Sequence, residues 1–219
     1  MMVRKLFLVS NFSAEFDNFA ARFAEACGGR KAKIAFLMQG DKDWEEHFSL
    51  YQQSFRKIYP VKLYPIFPDE EYEFEQEMVK KLKKATGIFI GGGYAFRYIL
   101  AYAQSELTPI IKEKYFSGIP YAGLSAGAVI TMRLGLLPEI VLKPHFIEQN
   151  RFFELQKKLR RSKVEYGIGL DDGIWLEVEN ETKGIVFGKG NCYRCTKTEN
   201  EEFEFKIYRP GDEIILKTE

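Results

Sequence analysis

Short apolar runs alternate with amphipathic segments over the first half of the chain. The runs at 5–10, 33–38 and 87–90 are compact and almost continuously apolar, which is typical of strands buried on both faces. The segments between them repeat their apolar residues at helical spacing. In the first segment, the residues of this face are Phe16, Phe19, Ala20, Phe23, Ala24 and Cys27. Strands that alternate with amphipathic helices predict a parallel sheet covered by helices on both faces.

The same alternation predicts the remaining elements up to the middle of the chain. A helix begins at about residue 43, a strand covers 61–67, and further helices cover 71–85, 95–104 and 108–115. In a parallel sheet of this kind, functional groups lie at the carboxyl ends of the strands. Glycine and polar residues that directly follow a strand are therefore the first candidates for a functional site.

After about residue 167, single apolar residues alternate with polar ones. The segment 202–207 shows this alternation, and the stretches at 188–191 and 210–212 have the composition of turns. The pattern predicts an antiparallel extension over about 174–219. No linker, repeat or low-complexity segment separates it from the rest, so a single α/β domain is predicted over 1–219.

Composition and charge narrow the class of protein. The chain has 219 residues, of which 46% are hydrophobic and 29% charged, as in globular proteins with a sizeable core. Its net charge of +1 provides no basic surface for nucleic acid or for an anionic membrane. No apolar segment has the length of a signal sequence or a membrane span. We therefore expect a cytoplasmic monomer or homodimer that binds neither nucleic acid nor membrane.

Three cysteines, Cys27, Cys192 and Cys195, are too few for a disulfide framework. Cys192 and Cys195 have the spacing of a metal or redox pair, but no second Cys or His pair is near enough to complete a tetrahedral zinc site. They also lie in a strand-like segment, whereas redox pairs are usually activated at a helix start. We predict a structural role for them, and neither a metal nor an organic cofactor.

One stretch carries the pattern of a catalytic nucleophile. Gly123-Leu124-Ser125-Ala126-Gly127 follows an apolar run and precedes small residues that suit a helix start. Gly-x-Ser-x-Gly is typical of a nucleophile elbow, a tight strand-to-helix turn that exposes the serine hydroxyl; a simple glycine turn is the alternative. The helix start places N–H groups where an oxyanion would develop. Gly91-Gly92-Gly93 follows the strand at 87–90 and is expected at the same sheet edge.

A serine nucleophile needs a base, and the chain contains two histidines. His47 lies beside the apolar stripe of a predicted helix, which is typical of a partly buried structural histidine. His145 follows Pro144, which favours an extended or turning backbone, and lies between two predicted helices. His145 is the better candidate for the base; the alternative is a histidine that caps a loop.

The acid that would orient the histidine is not determined by the residue pattern. The candidates after the elbow are Glu139, Glu148, Glu165, Asp171 and Asp172. Glu139 lies in a loop, and Glu148 is expected on a helix surface. Asp171 and Asp172 follow the strand-like run 166–170, where an aspartate also suits an Asx turn.

Four motifs, taken in order, resemble the peptidase E family of aspartyl dipeptidases, to which cyanophycinase is related. The motifs are Ile90-Gly91-Gly92-Gly93, Gly123-Leu124-Ser125-Ala126-Gly127-Ala128, Pro144-His145-Phe146 and Gly169-Leu170-Asp171-Asp172-Gly173-Ile174-Trp175. The resemblance covers about 5–178, which is most of the chain. It implies a three-layer α/β sandwich of the class I glutamine-amidotransferase type, with a mostly parallel central sheet.

The resemblance also implies roles for individual residues. Ser125 is similar in position to the family nucleophile, His145 to the base and Asp172 to the acid, which is a glutamate in the family. Because aspartate is one methylene shorter, the histidine must approach it more closely. The N–H of Ala126, with that of Gly92 or of Gly93, would form the oxyanion hole.

The reaction implied by the resemblance is hydrolysis of small peptides through an acyl-enzyme, with Asp-X dipeptides as the family's substrates. Gly93 and Arg151 would contact the substrate. Aspartyl specificity requires a cation for the acidic side chain, for which Arg151 is the nearest match; Arg97 and Lys143 match less closely. Two other functions fit the same pattern. They are cleavage of β-aspartyl-arginine links, as by cyanophycinase, and binding without catalysis on the same scaffold.

Overall fold

The computed structural model describes residues 3–11, 13–40, 42–57, 59–137, 140–200 and 202–216. Within these ranges the strands are β1 (Lys5–Val9), β2 (Lys33–Leu37), β3 (Lys62–Ile66), β4 (Gly87–Ile90), β5 (Tyr121–Leu124), β6 (Val141–Pro144), β7 (Tyr166–Leu170), β8 (Ile174–Glu179), β9 (Lys183–Gly188), β10 (Cys192–Lys197), β11 (Phe203–Tyr208) and β12 (Glu213–Ile215). The helices are α1 (Phe16–Ala26), α2 (Trp44–Arg56), α3 (Gln76–Lys84), α4 (Ala95–Tyr98), α5 (Leu107–Phe116), α6 (Ala126–Val129) and α7 (Phe152–Arg160). A π-helical segment, Ile99–Ala103, continues α4.

The larger sheet has the strand order β12-β9-β8-β1-β5-β4-β2-β3. Its strands β1, β5, β4, β2 and β3 run parallel to one another, as the alternation of strands and helices predicts. Beyond β1, the strands β8, β9 and β12 continue the sheet in antiparallel pairing. The predicted α/β fold, with a mostly parallel central sheet and antiparallel C-terminal strands, is confirmed.

Side chains of β1 alternate between two apolar cores, one on each face of the larger sheet. Leu6 and Leu8 pack with α3, α5 and α6, whereas Phe7 packs with α1 and α2. The Phe7 ring lies 5.2 Å from the ring of Phe23 and 6.1 Å from that of Phe19. Since strand side chains alternate between faces, burial on both faces produces the continuously apolar runs of the sequence. Helices on both sides make the predicted three layers.

A smaller sheet has the strand order β11-β10-β7-β6. Its strands β6 and β7 are parallel, and β10 and β11 pair antiparallel beside them. Leu142 of β6 and Ile168 of β7 belong to the same apolar core as Leu6 and Leu8 of the larger sheet. The C-terminal antiparallel strands thus divide between two sheets, a division that their strand patterns do not reveal because alternation specifies burial and not the pairing partner.

The helix predicted over 71–85 is shorter in the structure, where α3 begins at Gln76. The preceding residues form a turn around Asp69, whose Oδ1 accepts the N–H groups of Glu71 (3.0 Å) and Glu73 (2.8 Å). Aspartate side chains compete with helix formation by bonding to nearby backbone N–H groups in this way. The prediction of helix over 71–75 is wrong for that reason.

None of the helices in the described ranges combines the length and the apolar character that a bilayer crossing requires. Those ranges also contain no cluster of three or more His, Cys, Asp or Glu that could hold a metal ion. Cys27, Cys192 and Cys195 are buried free thiols. Burial raises the pKa of Cys192 to about 12 and that of Cys195 to about 11, so both thiols stay protonated near neutral pH.

Candidate active site

Ser125 occupies a sharp turn between β5 and α6. Its backbone has φ 50° and ψ −108°, a conformation that residues with a side chain rarely adopt, and its N–H donates to Val9 O at 2.8 Å. A Cβ at Gly123 would lie 2.4 Å from Gly127 O, and a Cβ at Gly127 would lie 2.3 Å from Ile90 O. Both flanking positions therefore require glycine, and the Gly-x-Ser-x-Gly pattern folds into the strand-to-helix elbow.

His145 directly follows β6 and extends its imidazole to the elbow. The distance from His145 Nε2 to Ser125 Oγ is 2.9 Å, which is within hydrogen-bond range of a base and its nucleophile. The imidazole is 20% exposed, so a substrate can reach it. Two residues that are 20 positions apart in the chain are thus in contact, although one follows a strand of the larger sheet and the other a strand of the smaller sheet.

Asp172 contacts the other nitrogen of the imidazole. The distance from Asp172 Oδ1 to His145 Nδ1 is 2.7 Å, which is in the range of charge-assisted hydrogen bonds, so the shorter aspartate side chain reaches the ring. The neighbouring Asp171 is directed toward β10 instead. Its Oδ2 accepts hydrogen bonds from the Asn191 N–H (3.1 Å) and from the Tyr193 hydroxyl (3.2 Å). The described contacts of the imidazole therefore distinguish between the two adjacent aspartates.

The remaining candidate acids lie elsewhere. Glu148 belongs to the turn after β6, and its Oε1 accepts the Asp172 N–H at 3.1 Å, so the expectation that it lies on a helix surface is wrong. Glu165 is exposed just before β7. Glu139 lies outside the described residues. Burial raises the pKa of Asp171, and the negative charge of Glu148 adds to that rise.

The parallel pairing of β6 and β7 brings His145 and Asp172 together. The Phe146 N–H donates to Leu170 O at 3.0 Å, which fixes the residue after His145 against the residue two before Asp172. Gly169 permits this approach, because a Cβ there would lie 2.4 Å from the Phe146 ring. Backbone pairing and one ring packed on a glycine therefore hold the imidazole and the carboxylate in register.

Ser10 directly follows β1 and connects the two sheets, and none of the sequence motifs includes it. Ser10 is fully buried, and its Oγ accepts the His145 N–H at 2.9 Å and donates to Leu170 O at 3.0 Å. The same oxygen lies 3.4 Å from Asp172 Oδ1. The feature of the sequence that indicates a role for Ser10 is its position as a hydroxyl residue at the carboxyl end of an otherwise apolar strand.

Replacement of Ser10 by alanine is expected to lower the free energy of unfolding by about 1–3 kcal/mol, because the His145 N–H loses its acceptor and Leu170 O loses one of its two donors. Urea denaturation measures the change. Ser117→Ala, at an exposed position on the C-terminal side of α5, is the control and is expected to change stability by less than about 0.5 kcal/mol. Equal stability of Ser10→Ala and wild type would contradict the bridging role of this hydroxyl.

Backbone N–H groups approach the elbow from two elements. Ala126 is the first residue of α6, so its N–H has no acceptor within the helix. Gly92 lies beside Ser125, since a Cβ at Gly92 would be 3.6 Å from Ser125 Cβ. Burial raises the pKa of Tyr51 to about 12, and a hydrogen bond from the Gly92 backbone opposes that rise. A hydrogen bond that lowers the pKa of a phenol must donate to its oxygen, so the donor is the Gly92 N–H. Since Tyr51 engages the Gly92 N–H, the N–H of Gly93 is the alternative donor for an oxyanion.

Arg151, the predicted substrate cation, is held by its neighbours. Its Nη1 lies 2.9 Å from Glu154 Oε2, and its Nε lies 3.0 Å from Gln149 Oε1. Glu154 also pairs with Lys143, which is buried. Burial lowers the pKa of Lys143 to about 8. Arg97, the third candidate, lies on α4. The charge of Arg151 is therefore partly compensated by Glu154, and that of Lys143 is removed from solvent.

His47 lies exposed on α2, and not partly buried as its position beside the apolar stripe predicts. It lines a cavity of about 150 Å³ together with Trp44 on the same helix and Gly92 in the loop after β4. The second histidine of the chain is thus separate from the series Ser125, His145 and Asp172, but it lies at a cavity that begins beside the elbow.

Comparisons with known proteins identify the family of this chain. The model of the family described as Peptidase family S51 matches residues 6–136. A cyanophycinase of Synechococcus elongatus is 23% identical over 193 residues, which cover 77% of this chain and 60% of the relative. A peptidase E of a Nostoc species is 25% identical over 223 residues, which cover 86% of this chain and 88% of the relative. The chain thus spans about 60% of the length of that cyanophycinase.

Solved structures share the fold. A peptidase from an acI-B1 Actinobacterium has a TM-score of 0.76 at 20% identity, covering 98% of this chain and 97% of that one. A putative peptidase E protein from Listeria monocytogenes EGD-e has a TM-score of 0.64 at 18% identity, covering 86% and 100%. At these identities the likeness concerns the fold alone. The family match covers more than half of the sequence and includes both the glycine loop and the elbow. The chain belongs to peptidase family S51.

Proposed function

We propose that this protein is a serine peptidase that hydrolyses short peptides through an acyl-enzyme. The observation that carries the proposal is the hydrogen-bonded series from Asp172 Oδ1 to His145 Nδ1 (2.7 Å) and from His145 Nε2 to Ser125 Oγ (2.9 Å). A nucleophile, a base and an orienting acid in this arrangement are the groups that acyl transfer requires. Membership of family S51 supports the same reaction.

In the first step Ser125 Oγ attacks the carbonyl carbon of the scissile bond. His145 Nε2 accepts the hydroxyl proton as the new C–O bond forms, and Asp172 stabilises the resulting imidazolium through Nδ1–H. The carbonyl oxygen becomes an oxyanion, which the N–H of Ala126 and an N–H of the 91–93 loop stabilise. Removal of a single such donor typically costs about 10²–10³ in kcat.

In the second step the tetrahedral intermediate collapses. The C–N bond breaks, and the leaving amine takes the proton from His145 Nε2. A water molecule then gives a proton to His145 and adds to the ester carbon, which releases the acid and restores the Ser125 hydroxyl. The partial exposure of the imidazole, at 20%, is consistent with access for this water.

The side chain that this peptidase accepts is a separate question. An Asp-X dipeptidase needs a cation for the acidic side chain, and Arg151 is engaged with Glu154 at 2.9 Å. We propose hydrolysis of short peptides without restriction to aspartyl substrates. Cleavage of β-aspartyl-arginine links is the second candidate, and the cyanophycinase relatives favour it.

Labelling of the serine and hydrolysis of a panel of peptides test the proposal together. Wild-type protein is incubated with a fluorophosphonate probe, and the labelled residue is identified by mass spectrometry. The panel contains α-dipeptides, Asp-X dipeptides and β-aspartyl-arginine. We expect labelling at Ser125 and hydrolysis of α-dipeptides. Hydrolysis of β-aspartyl-arginine alone would favour the second candidate. No labelling and no hydrolysis would favour an inert binding protein.

A further inference from the structure

The cavity beside Gly92 lies next to the elbow and has no role in the proposed reaction. Its volume is about 150 Å³. Half of the residues that line it carry an aromatic ring, namely Phe36, Trp44, His47, Tyr51 and Tyr98. The rest comes from Met38, Gln39 and three glycines, so no Lys, Arg, Asp or Glu of the described part of the chain lines it.

The cavity lies close to Ser125 in space. Gly92 forms part of its wall, and a Cβ at Gly92 would lie 3.6 Å from Ser125 Cβ. In the proposed reaction the leaving amine must reach His145 Nε2, so the leaving residue lies on the His145 side. Among the described residues that line the cavity, His145 is absent, whereas Gly92 of the oxyanion loop is present. A peptide that delivers its leaving residue to His145 would therefore direct the side chain of the residue with the scissile carbonyl toward Gly92 and the cavity.

The chemistry of the wall selects against a charged side chain. A carboxylate that leaves water without a cation loses its hydration with no compensation, a cost of several kcal/mol. An aromatic or large aliphatic side chain gains free energy in proportion to the apolar area that it buries. A cavity of about 150 Å³ is large enough to hold benzene, the ring of a phenylalanine side chain.

Hydrogen bonds and ring contacts hold the walls in place. The Tyr98 hydroxyl donates to Gly92 O at 3.1 Å. Gln39 bridges the end of β2 to the glycine loop, since its Nε2 donates to Tyr94 O at 2.5 Å and its Oε1 accepts the Tyr94 N–H at 3.2 Å. The Trp44 ring packs 4.7 Å from that of Phe67. A preformed wall lowers the ordering cost that binding would otherwise include.

The cavity is open to substrate. A wider groove of about 610 Å³ shares Gln39, Gly40 and Trp44 with it and leads outward. His47 is exposed at the cavity. A side chain can therefore enter from solvent while its peptide backbone lies across the elbow.

We propose that this cavity is the specificity pocket for the residue that carries the scissile carbonyl, and that it accepts an aromatic or large aliphatic side chain. The proposal rests on the proposed peptidase function and specifies its substrate class. It gives α2, through Trp44 and His47, a role in recognition that none of the sequence motifs indicates.

A dipeptide series with a constant leaving residue tests the pocket. Phe-Leu, Leu-Leu, Ala-Leu and Asp-Leu are compared by kcat/KM. We expect Phe-Leu to exceed Ala-Leu by about 10–100-fold, which is the gain for burying a phenylalanine side chain. We expect Asp-Leu to be the poorest of the four. Equal values for Phe-Leu and Ala-Leu, or a preference for Asp-Leu, would overturn the inference.

His47→Arg provides a second test, because it places a cation in the wall. We expect the ratio of kcat/KM for Asp-Leu to that for Phe-Leu to rise by about tenfold or more. Ser49→Arg is the matched control, since it adds the same charge to an exposed position of α2 that does not line the cavity, and we expect its ratio to equal that of wild type. An equal rise in both variants, or none in His47→Arg, would count against the pocket.

These outcomes separate the pocket from the proposed function. Hydrolysis with labelling of Ser125 but without the phenylalanine preference leaves the peptidase in place and removes the pocket. Failure of every dipeptide together with absence of labelling at Ser125 removes the proposed function, and the pocket with it.

Discussion

Ser125→Ala is expected to reduce kcat for peptide hydrolysis by about 10⁶-fold, the loss found when a serine peptidase loses its nucleophile. The Ser125 Oγ lies 2.9 Å from His145 Nε2, and no bond to the acyl carbon can form without this oxygen. The residual rate would come from substrate binding and the oxyanion donors. Measurement of kcat with Phe-Leu or the best dipeptide of the series, with the enzyme at high concentration, gives the factor.

The fold is expected to survive this change. Alanine adopts φ 50° no more easily than serine does, so the backbone strain of the elbow is unchanged and Tm should stay close to that of wild type. Ser117→Ala, which removes an exposed hydroxyl, is expected to keep full activity. Turnover by Ser125→Ala at a rate near that of wild type would exclude this serine as the nucleophile.

Asp172→Asn is expected to reduce kcat by about 10⁴-fold, as removal of the orienting carboxylate does in serine peptidases. Asp172 Oδ1 lies 2.7 Å from His145 Nδ1, and the carboxylate requires that this nitrogen carry the proton, which leaves Nε2 free to accept one from Ser125. An asparagine amide can favour the opposite tautomer, in which Nε2 is protonated and cannot act as a base. The pre-steady-state rate of acylation measures the effect directly.

Asp171→Asn is the matched control, because it changes the same chemical group one residue away. The Asp171 carboxylate bonds to Asn191 and Tyr193, so we expect this variant to change stability and to retain most of the acylation rate. If the two variants lost activity equally, the contact with His145 would not explain the effect of Asp172. If Asp171→Asn were the more damaging of the two, the acid would be misassigned.

Local patterns predicted the parts of the fold that depend on neighbouring residues. The apolar runs identify β1, β2 and β4 because both faces of those strands are buried. The glycines of the elbow were recognisable because close backbone approach leaves no room for a Cβ at Gly123 or Gly127. His145 was a better candidate than His47 because Pro144, directly before it, favours an extended or turning backbone. Asp172 was not separable from Asp171 by pattern, and its assignment came from family resemblance.

Features that depend on distant pairing were not predictable in the same way. A run such as β7 reads as a buried strand whichever sheet it joins, so its pairing with β6 and β10 was hidden. Ser10 acts through His145 and Leu170, which are more than 130 positions away in the chain. The cavity beside Gly92 needs α2 to lie against the glycine loop, and neither segment indicates the other.

Strand β1 lies between β5 and β8, so its two neighbours in the sheet come from different parts of the chain. The proposed activity therefore depends on synthesis of the C-terminal part. An N-terminal portion that ended before residue 166 would contain the whole elbow, yet it would lack Asp172, and β1 would expose one unpaired edge because β8 had not been made. Ser125 therefore precedes, in the order of synthesis, the carboxylate of Asp172 that contacts His145. The series Ser125, His145 and Asp172 is complete only when the segment after β7 is present, so a molecule truncated before residue 166 is expected to lack the proposed peptidase activity.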